Sequence, residues 1–325
     1  MIRLYVLDCT HLDNELVYSF SDIINGFVRY KDEAVKLGIE ICYEKNKRSD
    51  EILQRGDRVD CFMSVWGAMV DTASELYKNR KFLTATFLDD IHWWSEQSLK
   101  DRLTFFEKTD LIFTPYARTA TTYNEYSNLK SKFVSLHWWA PDKCFDNNIS
   151  WEQRKNKVLL SGSIHMYPLR KAISEVKNGI VEQLKHSLRF PNFAHQYHGV
   201  KYYEYLSRYK GAICASCAPH KTENVSITHP LDYTLSKNFE VLGCGCVGFL
   251  EETKDFQELG FEPYKNFVPI TMKNFQEQWR YLFKQEAKEI AKAGLEFVRT
   301  KHSTKNRILQ ILNKIKIEHE KIKCN

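Results

Sequence analysis

Within one turn of a would-be helix stand Lys237, Asn238 and Glu240, in the stretch Ser236-Lys237-Asn238-Phe239-Glu240-Val241-Leu242-Gly243. Lys237 and Glu240 are three positions apart and therefore share a helical face, with Ser236 expected to cap the helix start. The first amides of a helix lack intrahelical partners and carry partial positive charge, so an anion is favoured there. Lys237 adds a full charge, which makes a diphosphate the natural guest. Glu240, one turn further in, can accept both hydroxyl hydrogens of a vicinal diol such as a ribose. Asp232 precedes Glu240 with seven residues between them, and two carboxylates flanking one helix start are costly unless something binds there. Without a guest, the same residues describe an ordinary helix-to-strand connection with a solvated lysine and glutamate.

Two further groups lie at expected strand ends. Gly162 and Ser163 sit in a turn after Val158-Leu159-Leu160, ahead of a helix opening near Pro168 that carries Arg170. Such a turn can approach phosphate closely and Arg170 can pair with it, although the same residues also make common turns. Asp89, Asp90 and His92 follow the apolar run at 82–88, next to Trp93 and Trp94. Open α/β sheets bind ligands just beyond the carboxyl ends of their strands, so this loop is a second candidate, with a satisfied surface loop as the alternative. Cys214-x-x-Cys217 and Cys244-x-Cys246 could offer four thiolates to zinc. Cys214 and Cys246 each adjoin an apolar run, however, and small buried strand residues are the expectation.

The elements that must position these groups alternate along the chain. Residues 2–8, 39–43, 60–66, 82–88, 111–114 and 133–136 read as strands, with helices expected at 21–37, 69–77 and 97–108. A polar, charged segment at 142–157 reads as a linker. After it come strands at 158–160, 211–214 and 246–250, a helix at 202–210, and helices at 275–283 and 287–299. Gly243 and Gly245 are expected to give the Lys237 helix its tight exit. The sustained alternation predicts an α/β protein with doubly wound parallel sheets. Two domains are expected, 1–145 and 146–303, with a helix at 304–325 packing back on the first. In that tail Ile308, Ile311, Leu312, Ile315 and Ile322 share a face among lysines, so docking is expected over peripheral association with an anionic membrane.

Of the 325 residues, 43% are hydrophobic and 27% charged, as in ordinary globular proteins. The net charge of +6 is modest and spread along the chain, which makes a weak nucleic-acid footprint, and no nucleic-acid partner is expected. No run approaches the ~20 apolar residues of a membrane span. The N-terminus turns acidic at Asp8, too soon for a signal peptide, and nine scattered cysteines suit a reducing compartment, so a cytoplasmic location is expected.

The chain resembles the GT-B glycosyltransferases of the group 1 type, with the C-terminal domain seen in CgeB-like proteins. The residues that carry this are Tyr203-x-Tyr205-Leu206-Ser207-Arg208-Tyr209-Lys210, Lys237 to Cys246, and Ala291-x-Ala293-Gly294 ahead of His302, together with Val158 to Arg170. Asp89-Asp90-Ile91-His92-Trp93 and Phe106 to Phe113 are similar to the acceptor-domain pattern. The resemblance implies two Rossmann-like domains facing across a cleft, a UDP- or GDP-sugar donor bound by the second, and transfer to a glycan or other hydroxyl acceptor. Glu240 would then hold the ribose diol, and Lys237, Gly162 and Ser163 the diphosphate, with Arg170 as a further phosphate partner. Asn238 counts with the donor-binding residues, and the backbone near His198 and Gly199 would take the base. Asp232 stands at the first of two acidic positions where the family usually has Glu.

No metal and no cofactor besides the donor is expected, because cations and helix amides can stabilise charge growing on the diphosphate. If configuration is retained, the departing phosphate oxygen takes the acceptor proton and Asp232 or His92 positions the sugar. Inversion, with Asp89, Asp90 or His92 as general base, is the alternative. A catalytically silent GT-B binding protein and a sugar-nucleotide epimerase are the other readings. Trp93, Trp94, Trp138 and Trp139 could stack on sugars or fill the core.

Overall fold

The computed structural model describes residues 1–8, 18–65, 80–88, 103–115, 120–121, 124–125, 132–146, 149–162, 168–176, 179–184, 200–215 and 234–324. These fall into two compact units, one formed by residues 1–137 with 305–324 and the other by 138–215 with 234–304.

The first unit is built on a six-stranded sheet of β1 (Ile2–Asp8), β2 (Ile39–Lys45), β3 (Cys61–Val65), β4 (Leu83–Phe87), β5 (Leu111–Thr114) and β6 (Lys132–Ser135). Its order is β2-β1-β3-β4-β5-β6, with every pairing parallel. Parallel strands are covered on both faces and so read as continuous apolar runs, and β3, β4 and β5 are buried throughout. The last helix, Thr304–Cys324, belongs to this unit. Ile308, Ile311, Leu312 and Ile315 recur at the spacing of one helical face and have no solvent exposure. Lys305 pairs with Glu33 at 2.7 Å, and His319 meets the Asp60 carboxylate at 3.3 Å. Ile322, expected on the buried face, is 41% exposed: burial along the helix ends at His319, and residues 320–323 are all exposed.

The second unit carries β7 (Lys155–Leu160), β8 (Val181–Gln183), β9 (Tyr209–Cys214), β10 (Val247–Leu250) and β11 (Val268–Pro269) in the order β11-β10-β9-β7-β8, again parallel. Val158, Leu160, Ile213, Val247 and Phe249 form its core with Leu169, Ile173, Trp279 and Ile290 from covering helices. In both units the first strand has its successor on one side and the third strand on the other. The winding reverses there, between β1 and β3 and between β7 and β9, and a crevice for ligands opens at the carboxyl ends of such a pair.

Residues 142–157 are not a plain linker. They form two tight turns, Asp142–Phe145 and Trp151–Gln153, and the first residues of β7. The charged composition misleads because Cys144 is buried and Arg154 turns inward to the carbonyls of Cys244 and Gly245 at 2.9 and 2.6 Å. The stretch expected as one helix at 275–283 is an α-helical turn, Phe275–Gln278, that tightens into a 3-10 turn, Trp279–Phe283.

Candidate functional site

Gly162 lies just past β7, at the point where the second sheet changes winding direction. Its φ is +89°, and a Cβ added there would stand 2.8 Å from Lys237 Nζ and 3.1 Å from Arg170 Nη1. Glycine is required twice over, for the left-handed backbone and for the space into which two cations lean. Both cations arrive on short helices whose opposite sides are anchored in the core.

Arg170 sits on the helix Pro168–Glu175, which opens with a proline whose missing N–H costs nothing at a first helical position. Leu169 and Ile173 pack into the core, and Arg170 is itself buried, donating from Nη2 to the Ala215 carbonyl just past β9 at 3.0 Å. The guanidinium therefore bridges the carboxyl ends of β7 and β9.

Lys237 and Glu240 sit on the helix Ser236–Gly243, whose other side, Phe239, Val241 and Leu242, has no exposure. Ser236 is the first helical residue rather than the cap. Leu235 precedes the helix in extended conformation, and its N–H donates to Asn238 Oδ1 at 3.0 Å. The Cys214 thiol donates to the same oxygen at 3.2 Å, so the buried Asn238 side chain ties the helix start to β9. Asp255 fixes the approach, accepting from the Thr234 N–H at 3.1 Å, the Thr234 hydroxyl at 2.6 Å and the Thr253 hydroxyl at 2.5 Å. At the far end Gly245 makes the turn with φ +70°, whereas Gly243 serves close approach: a Cβ there would stand 2.9 Å from those of Ala140 and Cys144.

A third helix, Val200–Leu206, supplies two phenols. Tyr202 Oη lies 2.9 Å from the buried Ser161 Oγ, to which Lys237 Nζ donates at 3.4 Å, and the Tyr202 ring centroid is 5.5 Å from Nζ. Tyr203 donates to Glu240 Oε1 at 3.5 Å, the long limit of a hydrogen bond. Burial, joined by the nearby Arg170 charge, pushes the Lys237 ammonium down to about 8, with Glu240 pulling the other way. Burial likewise raises the Glu240 carboxyl, against Lys237 and the Tyr203 hydrogen bond. Two cations crowded against one glycine turn favour an anion that neutralises both.

Of the residues singled out from sequence, Gly162, Arg170, Lys237 and Glu240 come together around the carboxyl ends of β7 and β9. Asn238 adjoins them, with its carbonyl oxygen committed to the helix start. Ser163, His198, Gly199, Asp232, Asp89, Asp90, His92, Trp93, Trp94 and Cys217 lie outside the described residues. Trp138 and Trp139, 5% and 1% exposed, are core rings rather than sugar platforms. Cys214 and Cys246 cannot share a zinc ion. The register Val247↔Gly211 and Leu250↔Cys214 puts them at opposite ends of adjacent strands, about 13 Å apart at ~3.3 Å per residue, whereas each zinc–sulfur bond spans about 2.3 Å. Ser161, Tyr202, Tyr203 and Asp255 were not legible as site residues. The signal available was the hydroxyl adjoining Gly162 and the paired tyrosines at a helix start.

The family described as Glycosyl transferase-like matches residues 170–313. Among solved structures, the chain is similar to a glycosyltransferase from Rickettsia africae ESF-5, with TM-score 0.59 and 13% identity over 97% of this chain and 98% of that one. It is similar to an alpha-glucosyltransferase in complex with UDP, with TM-score 0.59 and 9% identity over 97% of this chain and 100% of that one. It is also similar to sucrose-phosphate synthase from Thermosynechococcus elongatus, with TM-score 0.53 and 11% identity over 96% and 97% of the two chains. No curated protein matches the sequence. The fold is GT-B, with two Rossmann-like α/β units, and the resemblance to GT-B glycosyltransferases is borne out over residues 170–313 and by the fold of the whole chain.

Proposed function

We propose that this GT-B chain is a glycosyltransferase that draws a sugar from a nucleoside-diphosphate sugar, a UDP-sugar in the first instance, and passes it to a hydroxyl acceptor such as a glycan. The observation that carries the reading is the approach of Lys237 Nζ and Arg170 Nη1 to Gly162, at the sheet's change of winding. A diphosphate placed over that glycine meets two cations that are crowded without it. The UDP held by the similar alpha-glucosyltransferase supports uracil as the first base to test.

In this reading Glu240 takes the ribose diol from the same helix face as Lys237, one turn on. As the bond from the anomeric carbon to the diphosphate breaks, charge grows on the departing oxygen, and Lys237 and Arg170 stabilise it in place without reorganisation. No divalent ion is needed for that step. Configuration is retained, with the departing oxygen taking the acceptor's proton on the same face. Asp232 or His92 positions the sugar, the backbone near His198 and Gly199 receives the base, and the first unit provides the acceptor side; Asp89, Asp90 or His92 would serve as general base if configuration were inverted instead.

A thermal-shift panel of UDP- and GDP-sugars on the wild type and Glu240→Ala tests the donor assignment, because a ligand that binds only the native state raises apparent stability by mass action. A UDP-sugar should shift the wild type and shift the variant much less. Mass-detected transfer to an acceptor, or slow donor hydrolysis, should accompany binding. A panel in which no nucleotide sugar shifts the wild type would remove the donor reading.

A further inference from the structure

We infer that Tyr202 and Ser161 are positioning residues of this donor site: they hold the Lys237 ammonium beside Gly162 and turn the Ser161 hydroxyl hydrogen toward the bound anion. The inference rests on the donor reading above and assigns a task to side chains that touch Lys237.

The argument is one of hydrogen-bond inventory. An ammonium has no lone pair, so at 3.4 Å Lys237 Nζ can only donate to Ser161 Oγ. That leaves Ser161 one lone pair and one hydrogen for the Tyr202 phenol at 2.9 Å. If Ser161 donates to Tyr202, the serine hydrogen is spent, and the hydrogen left over belongs to the phenol rather than to the residue adjoining Gly162. If Tyr202 donates to Ser161, both serine lone pairs are occupied and the serine hydrogen is the one remaining donor. An anion over Gly162 selects the second arrangement, because it gains a donor polarised by the two behind it.

Tyr202 suits that duty. Burial and the Glu240 carboxylate hold its phenol well above the ordinary range, so it keeps its proton. Its ring also lies 5.5 Å from Nζ, within reach of a cation–π attraction. Ser161 is 2% exposed, which denies water the competing role. The charged and titratable groups facing the ammonium are Arg170 from its own helix, Cys214 from β9 and Glu240 one turn on, with Tyr202 from the third helix.

Calorimetric titration of UDP, and separately of inorganic pyrophosphate, between pH 7 and pH 9.5 tests the assignment on the full chain. Tyr202→Phe and Ser161→Ala should each weaken both ligands by about tenfold at pH 7, the scale of one hydrogen bond to a charged group. Ser161→Ala should also move the alkaline fall in affinity to lower pH, because the ammonium loses its acceptor, while Ser161→Thr should restore both. In a Lys237→Met background, Tyr202→Phe should cost under about twofold, since the two act as one unit. The inference is overturned if Tyr202→Phe and Ser161→Ala both bind like the wild type at every pH. It is equally overturned if Tyr202→Phe costs the same with and without Lys237. A wild type that holds pyrophosphate but not UDP would sink the donor reading and leave the positioning to be judged on pyrophosphate. A wild type that holds neither sinks both.

Discussion

At Lys237 the site works against the ligand-free protein. An ammonium pushed down to about 8 is one that its surroundings disfavour until an anion arrives. The sign for binding follows: a diphosphate requires the protonated amine and raises its pKa, so UDP affinity should be flat below pH 8 and fall toward tenfold per unit above it. Calorimetry across pH 7 to 9.5 checks this, and Lys237→Arg, which stays charged, should flatten the curve. The sign for folding is the reverse, because the charged amine is penalised in the native state most fully below pH 8. Lys237→Met should therefore raise the melting temperature of the ligand-free protein at pH 7 while weakening UDP by about 100-fold, the scale of a lost charge-assisted contact. Lys237, Glu240, Arg170 and Gly162 could be read from sequence because a charge three or four positions along a helix, or next to a glycine turn, is a local pattern. Ser161 and Tyr202 could not, since 41 residues separate them and only the sheet brings them together.

At the scale of elements, the Lys237 helix depends on two contacts that lie far along the chain. Asp255 accepts from the N–H and hydroxyl of Thr234, 21 residues ahead of it, and from the hydroxyl of Thr253, two residues ahead. Asp255→Ala should destabilise the second unit by about 1–3 kcal/mol in chemical denaturation, the cost of stranding buried donors. It should weaken UDP as well, because the helix start loses its fixed direction. Gly243→Val forces a side chain against Ala140 and Cys144 and should cost about 1–3 kcal/mol through overpacking. The helix itself was readable, with its apolar side and glycine exit. Its cap was misassigned because Ser236 has the right chemistry one residue too late, while Asn238 reaches back from inside. Of the two glycines expected to give the tight exit, Gly245 makes the turn and Gly243 supplies room, since sequence does not distinguish a glycine needed for φ from one needed for space.

For the whole molecule, the alternation of apolar runs and amphipathic stretches was enough to foresee two parallel sheets. The order of strands within each was not, because a crossover can pass to either neighbour and only packing decides. The Thr304–Cys324 helix is bound into the first unit by four unexposed aliphatic side chains, so Ile311→Ala should destabilise that unit by about 2–5 kcal/mol. Denaturation followed by a reporter in each unit checks it. EDTA should leave transfer unchanged if the two cations supply the charge compensation, and a loss restored by magnesium would contradict that part of the proposal. The return of this helix has one more consequence. During synthesis the ribosome releases β1 to β6 long before the Thr304–Cys324 helix that belongs to their unit, whereas the described residues of the second unit all lie between 138 and 304. The later-made half can thus mature first, and the earlier-made half has to wait, its apolar surface open to chaperones, until the last helix emerges.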